Sequence, residues 1–218
     1  MTPGSRRPTL PGLPAPPRLV VATANPAKAR EFLALLEDVG YEVRTLRDYP
    51  GVSLPPEGEA SYAENATAKA RTAARASGAV AIGDDSGLEV DALGGRPGVA
   101  SARYGGPGLD DPGRVRRLLA ELAGATARTA RFRSVLALVA PWGAEAVVEG
   151  VVEGVLTEAP RGGGGFGYDP IFLVPGVGRT FGELAASEKH GLSHRGHAVA
   201  RARPILQAWA ADARARTA

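Results

Sequence analysis

The sequence predicts an α/β protein in which helices pack against a mixed twisted sheet. The folded part opens with a strand, an amphipathic helix and a second strand, which is the start of an α/β alternation. Two long stretches in the second half alternate or run apolar, as consecutive antiparallel strands do. With 218 residues, the chain is long enough for one large domain or two small lobes around a substantial core.

The first predicted unit is a strand, a helix and a strand. Residues 18–23, RLVVAT, form a short β-branched run that is typical of a buried strand. Asn25 is a candidate N-cap and Pro26 occupies the first helical position, after which apolar residues recur at helical spacing. Gly40 is expected to end this helix, and residues 41–46 predict a second strand.

The middle of the chain predicts a long helix, a strand and a hairpin. Residues 58–78 are alanine-rich and end in glycine, which indicates a helix with a glycine C-cap. Residues 79–85, AVAIGDD, follow as a strand whose last two residues are aspartates. Residues 88–104 predict a hairpin that turns at Gly94 and Gly95.

The C-terminal half predicts a helix, a pair of antiparallel strands, a glycine-rich loop and a last helix. A leucine and valine stripe indicates an amphipathic helix at residues 111–124. Residues 129–141 and 145–156 predict the strand pair. The last helix is expected to begin near Ser193, and Pro204 is expected to kink or split it.

Composition bounds the setting in which the protein works. The chain has no cysteine, which excludes disulfides and thiol chemistry and fits a reducing cytoplasm. Its longest apolar run, residues 135–142, is far shorter than the ~20 residues that span a bilayer, so no membrane partner is expected. Residues 1–17 are proline-rich and lack the apolar core of a secretory signal. We therefore expect a disordered tail at 1–17 and a single domain at 18–218.

Two adjacent carboxylates, Asp84 and Asp85, follow the predicted buried strand. Buried carboxylates are unfavourable unless a cation or hydrogen-bond donors compensate them. Side chains alternate along a strand, so only one of the two is expected to face a given cleft, and alternation does not say which. Mg²⁺ is a natural partner, because it takes one or two carboxylates together with substrate phosphates. A turn built on Asp-Ser-Gly is the structural alternative.

The stretch TANPAK, residues 23–28, lies at a strand-to-helix turn. Free N–H groups at the helix start, together with the side chains of Thr23, Asn25 and Lys28, favour an anion site. The alternative is a capped helix with a solvated lysine.

The glycine run at 162–167 satisfies the pattern G-x-G-x-x-G only trivially. No helix start follows it, so a dinucleotide-binding fold is rejected. A glycine loop that presents Phe166 and Tyr168 is suited to stacking on a base, and a flexible hairpin with a core phenylalanine is the alternative. The chain contains no G-x-x-x-x-G-K-[ST] loop for a triphosphate.

The stretch EKHGLSHRGHA, residues 188–198, gathers cations at another helix start. Ser193 is the candidate N-cap ahead of His194 and Arg195, with Lys189 just upstream. The three histidines also suggest zinc, but the neighbouring cations disfavour a metal, and no cysteine or acidic ligand completes the set. An anionic ligand fits this stretch better.

Together these stretches resemble the inosine/xanthosine triphosphate pyrophosphatases, the family that removes non-standard purine nucleotides. The resemblance is carried, in chain order, by TANPAK, AENATAKA, DDSGLEVDALGGRPGVASARY, GFGYDPIF and EKHGLSHRGHA, and it spans about residues 18 to 210. It implies two lobes around a central nucleotide-binding cleft, usually in a homodimer. It also implies Mg²⁺-dependent hydrolysis of ITP, dITP or XTP, between the α and β phosphates, to the monophosphate and pyrophosphate.

The resemblance implies roles for particular residues. Asp85 would be the proton acceptor and would bind Mg²⁺ together with Glu57, whereas Asp84 would face the other side and be structural. Residues 23–28 would hold the triphosphate while water attacks the α-phosphorus in line. The implied substrate-binding residues are Thr23, Ala24, Asn25, Pro26, Ala27, Lys28, Ser86, Phe166, Gly167, Tyr168, Asp169, Lys189, His194 and Arg195. Donors from Lys189, His194 and Arg195 would favour a 6-oxo purine over adenine.

Two functions of other classes remain open on the sequence alone. A nucleotide-sensing protein would keep the pocket without turnover, although the intact Asp85 and Glu57 argue against it. A nucleic-acid-binding module is suggested by the pI of about 9.5. Its basic residues lie mostly on amphipathic helices without interleaved aromatics, so no nucleic-acid partner is expected.

Overall fold

The structure is a computed structural model that describes residues 15–59 and 61–217. Most of the tail expected at 1–17 lies outside the described residues. The strands are β1 (Arg18–Ala22), β2 (Glu42–Thr45), β3 (Val80–Val90), β4 (Thr129–Val139), β5 (Glu145–Leu156), β6 (Phe172–Val174) and β7 (Arg179–Thr180). The helices are α1 (Pro26–Leu35), α2 (Tyr62–Ser77), α3 (Asp111–Glu121), α4 (Ala186–Leu192) and α5 (His194–Thr217).

The seven strands form one mixed sheet in the order β2-β1-β3-β4-β5-β6-β7. β1 pairs in parallel with β2 and β3, as the opening strand–helix–strand unit requires. β3, β4, β5, β6 and β7 pair antiparallel along the chain. The predicted α/β class and the antiparallel strand pair are therefore confirmed.

Helices cover both faces of the N-terminal half of the sheet. On one face, α1 and α5 pack on β1, β3 and β4 through residues such as Phe32, Ile82 and Leu206. On the other face, the alanines of α2 pack against Val20 and Ala81. Small residues on α2 let the helix lie close to the sheet, which brings its polar side chains near the strands.

A second apolar core lies around the far half of the sheet. It includes residues from β4, β6 and α3, among them Leu118, Phe132 and Phe172. Phe132 and Phe172 lie with their ring centroids 4.6 Å apart. The two halves of the sheet thus carry separate cores, and these form the two lobes.

The structure differs from the sequence prediction around the two aspartates. β3 does not end at residue 85 but continues to Val90, paired with β4 over its whole antiparallel length. Asp84 and Asp85 therefore lie inside a strand, opposite Leu136 and Val135. Pairing with a long neighbouring strand overrides the local turn preference of Asp-Ser-Gly.

The predicted hairpin after β3 is wrong beyond its turn. The chain does reverse at Gly94 and Gly95, which both have positive φ angles of 63° and 86°. The returning arm forms only one bridge, between Glu89 and Pro97, before a 3₁₀ helix at Gly98–Arg103. Proline has no N–H to donate to a strand, so the pairing cannot continue through it.

The last helix runs unbroken through Pro204, so the predicted split is wrong. Its predicted start is confirmed, since Ser193 Oγ accepts a hydrogen bond from the Gly196 N–H at 3.1 Å. Ala198, Ala202, Leu206 and Ala210 form a buried stripe at four-residue spacing. Pro204 is exposed and lies off this stripe, so packing holds the helix together on its opposite side.

Other helix boundaries shift by several residues. α1 ends at Leu35 rather than at Gly40, and α2 begins at Tyr62, capped by the Ser61 side chain, rather than at residue 58. The predicted glycine C-cap of α2 is confirmed at Gly78, whose φ is 62°. The short elements α4, β6 and β7 were not predicted. No described helix is long and apolar enough to cross a bilayer.

Candidate functional site

A cavity of about 310 Å³ opens between the two lobes. Its lining includes the charged side chains of Lys28, Glu57 and Asp85 and the aromatic rings of Phe132 and Phe166. A larger cavity of about 660 Å³ lies at the N-terminal ends of β1 and β3 and contains none of the predicted site residues. The smaller cavity is therefore the candidate functional site.

Most predicted site residues meet in this cavity although they come from distant parts of the chain. Those that line it are Asn25, Lys28, Glu57, Asp85, Ser86, Phe166, Gly167, Tyr168, His194 and Arg195. Those that do not are Thr23, Ala24, Pro26, Ala27, Asp169 and Lys189. Asp169 and Lys189 are buried directly behind the wall, at 2% and 3% exposure.

Asp85 points to the α2 side of the sheet. Its Oδ2 accepts a hydrogen bond from Asn65 Nδ2 at 2.8 Å. Burial raises the pKa of Asp85 above its ordinary value, and the hydrogen bond from Asn65 and the charge of Lys69 offset this only in part. The charge of nearby Glu57 raises the pKa further. Asp85 is thus a buried acid with a second carboxylate close by.

Lys69 is a member of this site that the sequence analysis did not identify. Its ammonium is buried, donates to the Glu57 carboxylate, and donates to the backbone carbonyl of Asp84 at 3.0 Å. Asn65 and Lys69 are four residues apart on α2, so both reach the same edge of β3. Two polar residues at this spacing on an alanine face were the signal that could have revealed them.

Gly83 explains how α2 comes so close to the aspartates. A Cβ atom at this position would lie 2.0 Å from the backbone oxygen of Ala66. Only glycine permits this contact between strand and helix. The contact sets the distance from Asn65 and Lys69 to the carboxylate pair.

The donor set of Glu57 and Asp85 fits Mg²⁺. Both residues line one cavity, and two carboxylates are the protein share of a typical magnesium site completed by water and phosphates. Among residues 15–59 and 61–217, no three His, Cys, Asp or Glu side chains are grouped closely enough to hold a metal by themselves. A divalent cation would relieve the like-charge interaction that raises the pKa of Asp85.

Asp84 points to the opposite face of β3, as alternation predicts. Its Oδ2 lies 2.7 Å from Lys28 Nζ and 3.8 Å from a guanidinium nitrogen of Arg195, and Ser134 Oγ donates to its Oδ1 at 2.7 Å. Burial would raise the pKa of Asp84, but these two cations outweigh it and hold the pKa well below its usual range. Asp84 thus faces the other side of β3 from Asp85, as expected, and its two cationic partners are themselves predicted substrate-binding residues.

The start of α1 has no free N–H group for an anion, contrary to the sequence prediction. The N–H groups of Ala27 and Lys28 donate to Asn25 Oδ1 at 2.8 and 3.2 Å. The N–H of Asn25 itself donates to Thr23 Oγ1 at 3.2 Å. Because Asn25 caps the helix so fully, the α1 groups that face the cavity are the side chains of Asn25 and Lys28.

Arg195 and Lys189 belong to a buried network of alternating charge. Glu31 bridges them, with one oxygen on the Arg195 guanidinium and the other 2.7 Å from Lys189 Nζ. Lys189 also lies 2.6 Å from Asp169 Oδ2 and 4.9 Å from the centroid of the Phe166 ring. Glu31 was not predicted, although its place three residues after Lys28 on α1 puts it on the same helix face.

The aromatic rings that line the cavity include Phe132 on β4 and Phe166 in the glycine loop. His194 stacks on Phe132 with ring centroids 4.7 Å apart and an interplanar angle of 13°. Burial, together with the charges of Arg195 and Lys189, lowers the pKa of His194 well below its ordinary value, so its ring is neutral.

The two aromatic residues of the glycine loop are placed differently. Phe166 is half-buried and lines the cavity. Tyr168 is only 4% exposed, and its hydroxyl donates to the Ser101 carbonyl at 3.0 Å. Asp169 fixes the loop by accepting a hydrogen bond from the Phe166 N–H at 2.8 Å. Of the two, Phe166 is therefore the ring with a face available to a flat ligand.

Comparison with known proteins places the chain in a family. The Ham1 family model matches residues 19–205. The dITP/XTP pyrophosphatase of Symbiobacterium thermophilum is 53% identical over 187 residues, which cover 84% of this chain and 92% of that protein. The dITP/XTP pyrophosphatase of Geobacillus kaustophilus is 49% identical over 183 residues, 83% of this chain and 90% of that protein.

Solved structures agree with this placement. The HAM1 protein from Coxiella burnetii is 39% identical and superposes with a TM-score of 0.78, covering 87% of this chain and 98% of that one. The dITP/XTP pyrophosphatase from Mycobacterium abscessus is 44% identical with a TM-score of 0.68, covering 87% of this chain and 99% of that one. The chain therefore belongs to the Ham1 family.

Proposed function

We propose that this chain hydrolyses non-standard purine nucleoside triphosphates (ITP, dITP and XTP) to the monophosphate and pyrophosphate, which removes deaminated purines from the nucleotide pool. The observation that carries the proposal is the lining of one cavity, which is divided between charged side chains (Asp85, Glu57 and Lys28) and an aromatic ring, Phe166. A nucleoside triphosphate has this same division between a charged tail and a flat base. The names of the similar dITP/XTP pyrophosphatases support the same reaction.

Glu57 and Asp85 would hold the Mg²⁺ ion. When bound, Mg²⁺ supplies charge neutralisation for the phosphate oxygens, which helps a leaving pyrophosphate to depart. Lys69 holds Glu57 in place from the protein side, because its buried ammonium contacts that carboxylate.

Asp85 accepts the proton of the attacking water in this proposal. Its raised pKa brings it closer to neutral pH than an exposed aspartate, and a base is most efficient when its pKa lies near the working pH. Asn65 fixes the carboxylate through its hydrogen bond to Oδ2. Within the described part of the chain, the remaining oxygen, Oδ1, accepts only the N–H of the adjacent Ser86, at 3.0 Å.

The side chains of Lys28 and Asn25 bind the triphosphate oxygens. Asp84 keeps the Lys28 ammonium at the cavity wall by an ion pair at 2.7 Å. Because the helix N–H groups are capped, these side chains replace them as the α1 contribution to phosphate binding. We also assign Thr23, Ala24, Pro26 and Ala27 to shaping this turn rather than to direct contact.

The base stacks on Phe166, and its 6-oxo group accepts from the donors on α5. Arg195 presents a guanidinium to the cavity and hydrogen-bonds Ser86 Oγ at 3.1 Å. Lys189 and Asp169 act from behind the wall, where they hold Phe166 and Glu31. Adenine carries a 6-amino donor in place of the oxo group, so these donors would lose their partner with ATP.

Three further properties extend the proposal. We expect a cytoplasmic homodimer with one two-lobed domain at 18–218 and a tail at 1–17. Light scattering coupled to gel filtration checks the dimer. Limited proteolysis, with cleavage confined to the first residues, checks the domain boundary.

Release of pyrophosphate from ITP, dITP, XTP, GTP and ATP, with and without Mg²⁺, tests the function directly. We expect turnover of the first three with Mg²⁺ and turnover of ATP lower by up to ~10⁴-fold. Equal rates with all five would remove the donor pocket. Tight binding of ITP without any pyrophosphate would instead identify a nucleotide-sensing protein.

A further inference from the structure

Buried donors without a partner are concentrated in the candidate cavity. Among the described residues, four buried side-chain polar atoms lack a hydrogen bond: Tyr62 Oη, Arg114 Nε, His194 Nδ1 and Arg195 Nε. Three of these belong to side chains that line the cavity, namely Arg114, His194 and Arg195. Buried donors are normally satisfied, so their grouping around one cavity indicates that a ligand supplies the acceptors.

Arg114 is the member of this group that neither the sequence nor the family resemblance singled out. It lies on α3, which packs in the far core, whereas His194 and Arg195 lie on α5. The Arg114 side chain is only 18% exposed, and its closest charged partner is Asp111 Oδ1, at a long 3.4 Å. An always-charged guanidinium is thus held in the wall with an unused donor.

Asp111 fixes Arg114 relative to the loop that carries Phe166. Its Oδ2 accepts a hydrogen bond from the Gly167 N–H at 2.8 Å, while its Oδ1 faces Arg114. Gly167 directly follows Phe166, so the stacking ring and the α3 guanidinium are positioned by one carboxylate. Arg114 therefore lies near the loop that carries the stacking ring.

We propose that Arg114 is a specificity-determining residue that donates to the purine edge formed by position 2 and N3. This inference rests on the proposed function, in which the 6-oxo group faces His194 and Arg195 on α5. In the six-membered ring of a purine, N3 lies directly across from C6. A base held with C6 toward α5 turns its N3 and C2 edge away from α5, and Arg114 lines the same cavity from a different element, α3.

The chemistry of this edge differs among the 6-oxo purines. Xanthine has a 2-oxo acceptor there, hypoxanthine has only hydrogen at position 2, and guanine has a 2-amino donor. A guanidinium has donors and no acceptor, so it favours xanthine and opposes the guanine amino group. Arg114 thus supplies the discrimination against GTP that the α5 donors, which read only the 6-oxo group, cannot supply.

The test compares kcat/KM for XTP, ITP and GTP in the wild type, Arg114→Met and Arg114→Lys. Methionine keeps much of the aliphatic length and removes the charge and donors. We expect kcat/KM for XTP to fall about 10- to 100-fold, the scale of a lost hydrogen bond to a charged group. ITP should change much less and GTP should not fall, so the ratios of XTP to ITP and of XTP to GTP both drop. Arg114→Lys should recover part of the XTP activity.

Arg117→Met is the matched control on the same helix. The Arg117 side chain is 59% exposed, pairs with Glu121 at 2.8 Å and does not line the cavity. It should leave all three substrates unchanged. Urea unfolding without nucleotide should show Arg114→Met to be no less stable than the wild type, because the variant removes an unpaired buried donor.

Each remaining outcome is decisive. An equal fall for the three triphosphates in Arg114→Met, or no change in any, overturns the assignment to the base edge. A stability loss in Arg114→Met together with an equal fall identifies a purely structural residue. If the wild type hydrolyses none of the three triphosphates, the proposed function itself is wrong. If the wild type is active but its selectivity is unchanged in Arg114→Met, only the role of Arg114 is wrong.

Discussion

Lys28 Nζ lies 2.7 Å from Asp84 Oδ2, so the first turn of α1 and the middle of β3 are joined by a buried ion pair. The Asp84 side chain is 1% exposed and that of Lys28 15%. The pair holds a cation at the cavity wall while the neighbouring Asp85 points to the other face of the sheet. Adjacent carboxylates in one strand thus have different partners and, in the proposed reaction, different tasks.

Removal of the Asp84 charge should destabilise the fold. Asp84→Asn keeps the shape and an oxygen for Ser134 but leaves Lys28 without its counter-ion and Arg195 with Glu31 alone. Breaking a buried pair in this way costs about 3–5 kcal/mol, and the partial exposure of Lys28 places our expectation at the lower end. Urea unfolding at pH 7 measures it, and Lys28→Met combined with Asp84→Asn should lose less than the sum of the single variants.

The pH dependence of Asp84→Asn provides an internal check. The folded-state pKa of Asp84 is depressed, so its contribution is present above the unfolded pKa of about 4 and is lost as the pH falls toward the folded value. The gap in unfolding free energy between wild type and Asp84→Asn should therefore narrow below about pH 4. A gap that stays constant down to the acid transition would contradict the ion pair.

Asp85→Asn should abolish most of the turnover. Loss of a general base lowers kcat by at least ~10²-fold, and the amide keeps the size of the side chain. Pyrophosphate release from ITP at saturating substrate measures the change. Asp91→Asn is the control, because Asp91 is an exposed carboxylate just beyond the end of β3 that bonds Thr129 and Arg131 outside the cavity. Near-normal turnover by Asp85→Asn would falsify its assignment as the base.

Glu57→Gln should raise the Mg²⁺ concentration needed for half-maximal activity by at least ~10-fold, since one of two carboxylate ligands is lost. Glu59 is an exposed glutamate two residues further on, outside the cavity wall, and Glu59→Gln is the matched control. Titration of pyrophosphate release with Mg²⁺ distinguishes them. If the two substitutions have the same effect, or if activity survives complete chelation of divalent ions, the metal site at Glu57 is wrong.

Lys69→Met should move the acid limb of the pH profile of kcat/KM to higher pH. The buried ammonium of Lys69 lowers the pKa of Asp85, so its removal lets burial raise that pKa further. Arg71→Met on the same helix is the control, because Arg71 pairs with Glu145 on the surface. Lys69→Arg, which keeps the charge, should restore the acid limb of the wild-type pH profile. A Lys69→Met profile that coincides with the wild-type profile would show that Lys69 does not affect the pKa of Asp85.

Local patterns predicted the elements with strong periodicity or caps and missed those that depend on distant partners. The Asn25 cap and the Gly78 C-cap follow from nearby residues, and both were predicted. The continuation of β3 through Asp84 and Asp85 depends on β4, about fifty residues later, and could not be read from Asp-Ser-Gly alone. The split of the last helix that was predicted at Pro204 is wrong for a similar reason. The buried stripe that holds α5 together packs against the rest of the fold and cannot be seen in the local sequence.

The candidate site shows the same division. The cavity brings together most of the residues expected from the five stretches, although Asp85 and Ser86 lie inside β3 rather than at its end. The partners of those residues were not predicted: Glu31 and Lys69 are ordinary helix residues until the fold buries them beside opposite charges. Burial and pairing in space, rather than residue type, give them their place in the site.

His194 should make the unfolding free energy depend on pH below about 6.5. Burial lowers its pKa in the folded state, so below the unfolded value of about 6.5 the unfolded chain binds a proton that the folded chain does not. Stability should therefore rise with pH through this window and fall as the pH drops, with a slope of up to about 1.4 kcal/mol per pH unit for one proton.

His194→Asn removes this titration and His197→Asn supplies the control, because His197 lies on the surface with Nδ1 on the Val151 carbonyl. Asp85 and Asp169 are buried carboxyls with raised pKa values, so at lower pH they make the unfolding free energy fall as the pH rises. The test therefore compares the pH dependence of the variants with that of the wild type. We expect the slope of unfolding free energy against pH to differ between wild type and His194→Asn by an amount that corresponds to about one proton. His197→Asn should have the same slope as the wild type. Equal slopes in all three proteins would mean that His194 takes up its proton in the folded state, and a neutral ring stacked on Phe132 would then be ruled out.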